Sequence, residues 1–298
     1  MPIIVDETTL ANISTDGVDV KKVYARQGID GTYVLVFEKG GTVTVALYFG
    51  GNWKMNNLKA DIDSYFESFN GYLTPNDAKQ VIIFPPACYL DYVRSKISSS
   101  LSSMVKVGIQ LINQNPKGSY TGQISAAMAA DCGCSAVIVG QGECRQYLGV
   151  TDEQCKQQVL AAMEKGLDVW LHVGETLDVR EAGNQNEYVA NQLEIAITDV
   201  TAKQVENHLI IVYEPLWAIG TGHFCSADDA ELMCQVLKSK ISSLYDAETA
   251  SRTPVTFAGS VKVSNAQDLI SKPDISGVVA GGASLKPEDF ATIINMDY

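Results

Sequence analysis

From about residue 45 onward the chain alternates short apolar runs with amphipathic stretches. The runs are 46–50, Val81 to Phe84, Val105 to Ile109, Ala136 to Val139, Val169 to Val173, Leu209 to Tyr213, Val255 to Ala258 and Gly277 to Ala280. A continuous apolar run of this length predicts a fully buried strand. The stretches between them carry apolar residues at helical spacing. Leu58, Ile62, Tyr65, Phe66 and Phe69 fall on one helical face. Thr151 with Gln154 forms a capping box ahead of Val159, Leu160 and Met163, and Gly166 stops that helix. Ser226 caps a helix carrying Leu232, Val236, Leu237 and Ile241. Ser284 with Pro287 opens the last one. Eight strand–helix units in about 250 residues predict an α/β chain closed into a (β/α)8 barrel over residues 45–298. An open doubly wound sheet is the alternative, but no G-x-G-x-x-G turn follows the first strand.

Residues 1–44 follow a different pattern. Asp6 to Asp19 is polar and irregular. Thr32 to Phe37 and Thr42 to Val45 flank Lys39-Gly40-Gly41, which predicts a β-hairpin. This N-terminal extension reads either as an accessory or oligomer contact or as a tolerated addition without a role.

Composition narrows the functional classes. Of 298 residues, 46% are hydrophobic, enough for a sizeable core, and the formal net charge is −13. That charge argues against nucleic acid or an anionic membrane as the main partner. No apolar run approaches the roughly 20 residues of a spanning helix. The acidic N-terminus resembles neither a signal nor a transit peptide. The seven cysteines, odd in number and irregularly spaced, read as reduced cytoplasmic thiols. Cys132-Gly133-Cys134 lacks a second pair at zinc spacing, so no metal and no cofactor is expected.

A parallel barrel keeps its chemistry at the C-terminal ends of its strands. The first strand leads into Asn52, Trp53 and Lys54. The fourth leads into Gln141, Gly142 and Glu143, and the fifth into Gly174-Glu175. The sixth delivers Glu214, and Pro215 ends it at once. The seventh leads into Gly259-Ser260 and the eighth into Gly281-Gly282. Lys54 can hold an anion and a developing oxyanion. Glycine turns leading into helix N-termini favour a phosphate. Each residue alone also has a structural reading: Glu214 as a capped strand-end carboxylate, Lys54 as a solvated lysine, Glu143 as an ion-pair partner. His172, His208 and His223 read as structural. No lysine stands at a middle or late strand end to form a Schiff base, apart from Lys262 beyond its turn, which argues against an aldolase.

Taken together the motifs resemble triosephosphate isomerase, the family that gives the TIM barrel its name. Gly-Gly-Asn-Trp-Lys-Met-Asn at 50–56, Tyr-Glu-Pro-Leu-Trp-Ala-Ile-Gly-Thr-Gly at 213–222 and Gly-Gly-Ala-Ser-Leu-Lys-Pro-Glu at 281–288 carry the resemblance, in register from about 45 to 298. Val173-Gly174-Glu175 followed by Arg180-Glu181-Ala182-Gly183 fits as well. The resemblance implies interconversion of glyceraldehyde 3-phosphate and dihydroxyacetone phosphate through an enediolate. It makes Glu214 the base, and has Lys54 and Asn52 hold substrate, with Glu143 supporting Lys54. It makes Pro215, Leu216, Trp217, Ala218, Ile219, Gly220 and Thr221 a lid. It assigns the phosphate to Gly220, Ser260, Gly281 and Gly282. It also implies a homodimer in which Thr121 and Gly122 reach into the partner.

Departures from the family pattern cluster around the reaction. Gln141 stands where the family carries a histidine. An amide still donates a hydrogen bond, but it does not titrate near neutral pH. Gly142 replaces a serine, Phe257 a tyrosine, Leu111 an asparagine, His172 a cysteine and Ala258 a glycine. A slowed isomerase is therefore expected. The alternative is a weakened barrel that binds phosphate ligands as a pseudoenzyme.

Overall fold

The computed structural model describes residues 46–219 and 224–298, together with three strands within the first 45 residues. The chain divides into two compact units, Met1–Val45 and Ala46–Tyr298. In the first unit β1 (Ile3–Ile4), β2 (Val20–Gln27) and β3 (Tyr33–Lys39) form an antiparallel sheet in that order. Among the described residues β3 pairs with β2 upstream; the hairpin expected with the downstream segment is not tested by them. The segment Val-Lys-Lys-Val-Tyr-Ala-Arg-Gln hides its strand character behind three cations that interrupt the apolar pattern. Thr42 to Val45 lies outside the described residues.

The second unit is a closed barrel of eight parallel strands: β4 (Leu47–Asn52), β5 (Lys79–Phe84), β6 (Val105–Ile109), β7 (Ala136–Val139), β8 (Asp168–Val173), β9 (Leu209–Tyr213), β10 (Val255–Gly259) and β11 (Gly277–Ala280). Each pairs with the next in sequence, and β11 closes on β4 with Val278 opposite Phe49. Helices stand between the strands, among them Lys59–Tyr72, Asp152–Glu164, Gln185–Ile197, Ala227–Leu244 and Pro287–Asn295.

The core has two layers because a barrel strand buries both faces. Ile82, Phe84, Ala136, Ile138, Trp170, Ile210, Val212, Ala258 and Val279 form the inner cluster. The outward residues pack in one large cluster with the helices. In β8, Val169, Leu171 and Val173 join that outer cluster, while Trp170 belongs to the inner one. Period-two alternation then puts His172 one layer above Trp170, at the mouth of the barrel. The Trp170 ring also explains Gly50: a Cβ there would come within 2.9 Å of it.

The helix readings need three corrections. Leu58 is the residue before helix Lys59–Tyr72 and is 68% exposed; Ile62, Tyr65, Phe66 and Phe69 make the buried face. Leu232 is 61% exposed; of the four expected positions Leu237 and Ile241 are buried and Val236 half-buried, and Ala230, Met233 and Cys234 complete the apolar face. Ser284 does not cap the last helix. It is buried in the short turn Gly282–Leu285 and donates its hydroxyl to the Gly281 carbonyl at 2.7 Å. The Thr151–Gln154 capping box and the Ser226 cap are formed. His208 closes helix Ala202–His208 and pairs with Asp168 at 3.0 Å.

Candidate active site

Glu214 directly follows β9, is 4% exposed, and receives hydrogen bonds from three directions. The Gly142 N–H donates to Oε2 at 3.0 Å. Nδ1 of His172 lies 2.9 Å from the same oxygen. Nε2 of Gln141 donates to Oε1 at 3.3 Å. Burial alone would raise the carboxyl's pKa, but His172, the Gly142 N–H and Lys54 outweigh it and hold it below the usual carboxylate value. Glu214 is therefore an ionised carboxylate in a buried position.

Lys54 sits two residues past the end of β4, with its backbone in the left-handed region at φ 52°. A non-glycine residue holds that conformation only where its surroundings fix it. Here the Lys54 N–H donates to Oδ1 of Asn52 at 3.0 Å, and Nε2 of Gln110 donates to the Lys54 carbonyl at 2.9 Å and to the Phe84 carbonyl at 2.8 Å. The preceding residue, Trp53, is fully buried and donates its indole N–H to the Ser284 carbonyl at 3.1 Å. The half-exposed ammonium pairs with Oε1 of Glu143. Gln110 was not singled out in the sequence; a lone polar residue after a strand carries no signal of its own.

Between these two groups lies a cavity of about 240 Å³. Asn52, Lys54, His172, Glu214, Gly281 and Gly282 are among its walls. Ser260 is exposed and is not one of its lining residues. Gln141 is buried, and its side chain serves the Glu214 carboxylate. Among the described residues, no group of three or more His, Cys, Asp or Glu is arranged to hold a metal ion.

The segment after Glu214 makes a short turn, Leu216–Ala218. Ile219 reaches the cavity wall. Trp217 is buried beneath the Arg180 guanidinium, 4.2 Å from its ring centre. Arg180 also bonds the buried Glu175 at 3.0 Å and Asp229 at 3.1 Å, and the Tyr213 hydroxyl donates to Glu175 at 3.1 Å. So the foot of the turn is anchored to the barrel. Gly220 and Thr221 lie outside the described residues. Thr121 and Gly122 are exposed, with Gly122 at φ 83°.

A sequence model described as triosephosphate isomerase matches residues 47–297. The chain belongs to the triosephosphate isomerase family. Among similar curated proteins is the triosephosphate isomerase of Streptomyces coelicolor, 40% identical over 246 residues, covering 82% of this chain and 95% of that protein. The Taenia solium triosephosphate isomerase is 38% identical over 253 residues, 85% of this chain and 99% of that one. That of Lactobacillus helveticus is 36% identical over 245 residues, 82% and 96% of the two chains.

Within the triosephosphate isomerase frame, the largest surprise of the geometry is His172. As a sequence feature it read as structural, because one histidine in a strand is more often packed than functional. The structure puts it against the carboxylate. The signal was available in the spacing: β8 and β9 pair with His172 opposite Val212, and Glu214 lies two residues beyond Val212, on the same face.

Proposed function

We propose that this chain interconverts glyceraldehyde 3-phosphate and dihydroxyacetone phosphate, with Glu214 as the base. The observation that carries this reading is one cavity bounded by an ionised, buried carboxylate, a lysine ammonium and the Gly281–Gly282 turn. Glu214 takes a proton from the carbon beside the carbonyl. The C–H electron pair becomes a carbon–carbon double bond, and the carbonyl pair moves onto oxygen. Lys54 and Asn52 stabilise the enediolate oxygen that forms. Glu143 holds the ammonium in place. One oxygen gains a proton as the other loses one, and Glu214 delivers a proton to the neighbouring carbon. The backbone N–H groups of Gly220, Gly281 and Gly282, with Ser260, hold the phosphate. The lid from Pro215 to Thr221 closes to exclude water.

The step that Gln141 alters is the proton shift between oxygens. An amide donates but does not titrate, and general acid–base help is worth roughly 10²–10⁴ in rate. The isomerase is therefore slow, and Glu214 serves both transfers in turn: it gives the carbon-derived proton to one enediolate oxygen, takes the proton of the other, and delivers that one to carbon. The pseudoenzyme reading draws on the same residue, since the Gln141 amide is spent on Glu214.

We also infer a homodimer acting in the cytoplasm. In the single chain Met55, directly after Lys54, is 94% exposed, and Leu58 and Tyr120 are exposed nearby in sequence to the site loop and to Thr121. A second copy covering them would remove that apolar surface from water. The seven thiols, none in a disulfide, support a reducing compartment.

The test is turnover of glyceraldehyde 3-phosphate by the full-length chain in a coupled assay, beside Glu214→Gln. Turnover that Glu214→Gln abolishes supports the isomerase. Turnover equal in the two proteins, or absent from both, leaves only a phosphate-binding barrel.

A further inference from the structure

The buried ring of His172 has a single polar partner among the described residues, the base itself. Nδ1 faces Oε2 of Glu214 at 2.9 Å, and Nε2 is buried with no partner. An ionised carboxylate can only accept, so Nδ1 carries the proton in that bond. The ring stands on β8, two residues beyond Trp170, with Val212 opposite it.

We propose that His172 is a positioning residue for the isomerisation, holding the Glu214 carboxylate in place through the bond from Nδ1 to Oε2. This rests on Glu214 being the base. It gives a titratable ring to a site whose usual histidine position holds Gln141. The two side chains divide the carboxylate between them, Gln141 on Oε1 and His172 on Oε2.

The other groups facing Glu214 come from separate elements. The Gly142 N–H, Glu143 and Cys144 belong to the short helix Gly142–Leu148, and Lys54 to the loop after β4. Lys54 and the Gly142 N–H add to the effect of His172. Glu143 is paired with Lys54, and the Cys144 thiol is pushed up by burial and by both carboxylates, so it stays neutral. A change at 172 leaves all of these in place.

The experiment is the pH profile of kcat/KM for full-length His172→Leu and His172→Gln beside the unsubstituted chain. In the free enzyme the acid limb reports the base. Removing a group that favours the charged form raises the pKa of Glu214, so the limb moves to higher pH. His172→Leu is expected to move it most, with kcat falling about tenfold or more. His172→Gln, which keeps a neutral donor, is expected to move it less. Limbs that coincide in all three proteins overturn the proposal, whatever the loss in stability. If His172→Leu does not fold, nitrogen NMR of the otherwise unaltered chain decides. A protonated Nδ1 whose signal shifts in Glu214→Gln supports the proposal, and a bare or unresponsive Nδ1 overturns it. That NMR outcome stands even where the chain shows no turnover, so failure of the isomerase reading is separable from failure of this one.

Discussion

The side chain of Leu216 occupies the space that a Cβ on Gly142 would need: Cδ2 would stand 2.4 Å from it. The absent side chain at 142 thus lets the first lid residues settle beside the base, while the Gly142 N–H holds Oε2 of Glu214. Restoring the family's residue with Gly142→Ser should push Leu216 aside. Leu216 is half-buried and its end can swing, so the cost should lie near or below the low end of the ~1–3 kcal/mol typical of an overpacked core. A urea titration should show that loss, together with a raised KM as the lid turn shifts.

Gln141→His should speed the reaction. It returns a group able to exchange protons with the enediolate oxygens, and the gain in kcat should be at least about tenfold, toward the roughly 10²–10⁴ that such help is worth. An unchanged kcat would show that proton movement between the oxygens does not limit the rate.

Lys54→Met should cut kcat/KM by about 10²–10³, the usual loss when an oxyanion donor is removed. Stability should change little, because the Lys54–Glu143 pair is more than a third exposed on both sides and such pairs are worth about 0–1 kcal/mol. Steady-state kinetics with a thermal melt separates the two effects.

Arg180→Ala should act in the opposite way, mainly on stability. Glu175 is fully buried and depends on Arg180 and the Tyr213 hydroxyl. Removing the cation leaves a buried charge underpaired, at a cost of about 3–5 kcal/mol. The denaturation midpoint should fall, and the Trp217 fluorescence should change as its cover is lost.

The acid limb of kcat/KM should lie below the ordinary glutamate value of about 4.3. Glu214 has a lowered pKa in the folded chain. Its contribution to stability is therefore present above the unfolded value and lost as the pH falls through the folded one. A limb above the ordinary value would mean that burial outweighs His172 and Lys54.

Strand positions were legible because barrel strands are buried on both faces, and runs such as Leu209–Tyr213 announce themselves. Helix faces were legible to within one residue: Leu58 fits the period of Ile62 and Phe66 yet stands outside the helix. Pairing was less legible, since the cations of β2 hid the partner of β3. In the site, Glu214 and Lys54 stood out by their motifs. Gln110 and His172 did not, because their meaning comes from partners 56 and 42 positions away and shows only once the strands are paired in register.

The central claim is that Glu214 moves a proton from carbon. Incubating dihydroxyacetone phosphate with the full-length chain in deuterium oxide and following the C–H signals by proton NMR tests it most directly. The account predicts deuterium entering at the carbon beside the carbonyl, and none above background with Glu214→Gln. Equal incorporation by the two proteins, or none by either, would contradict it.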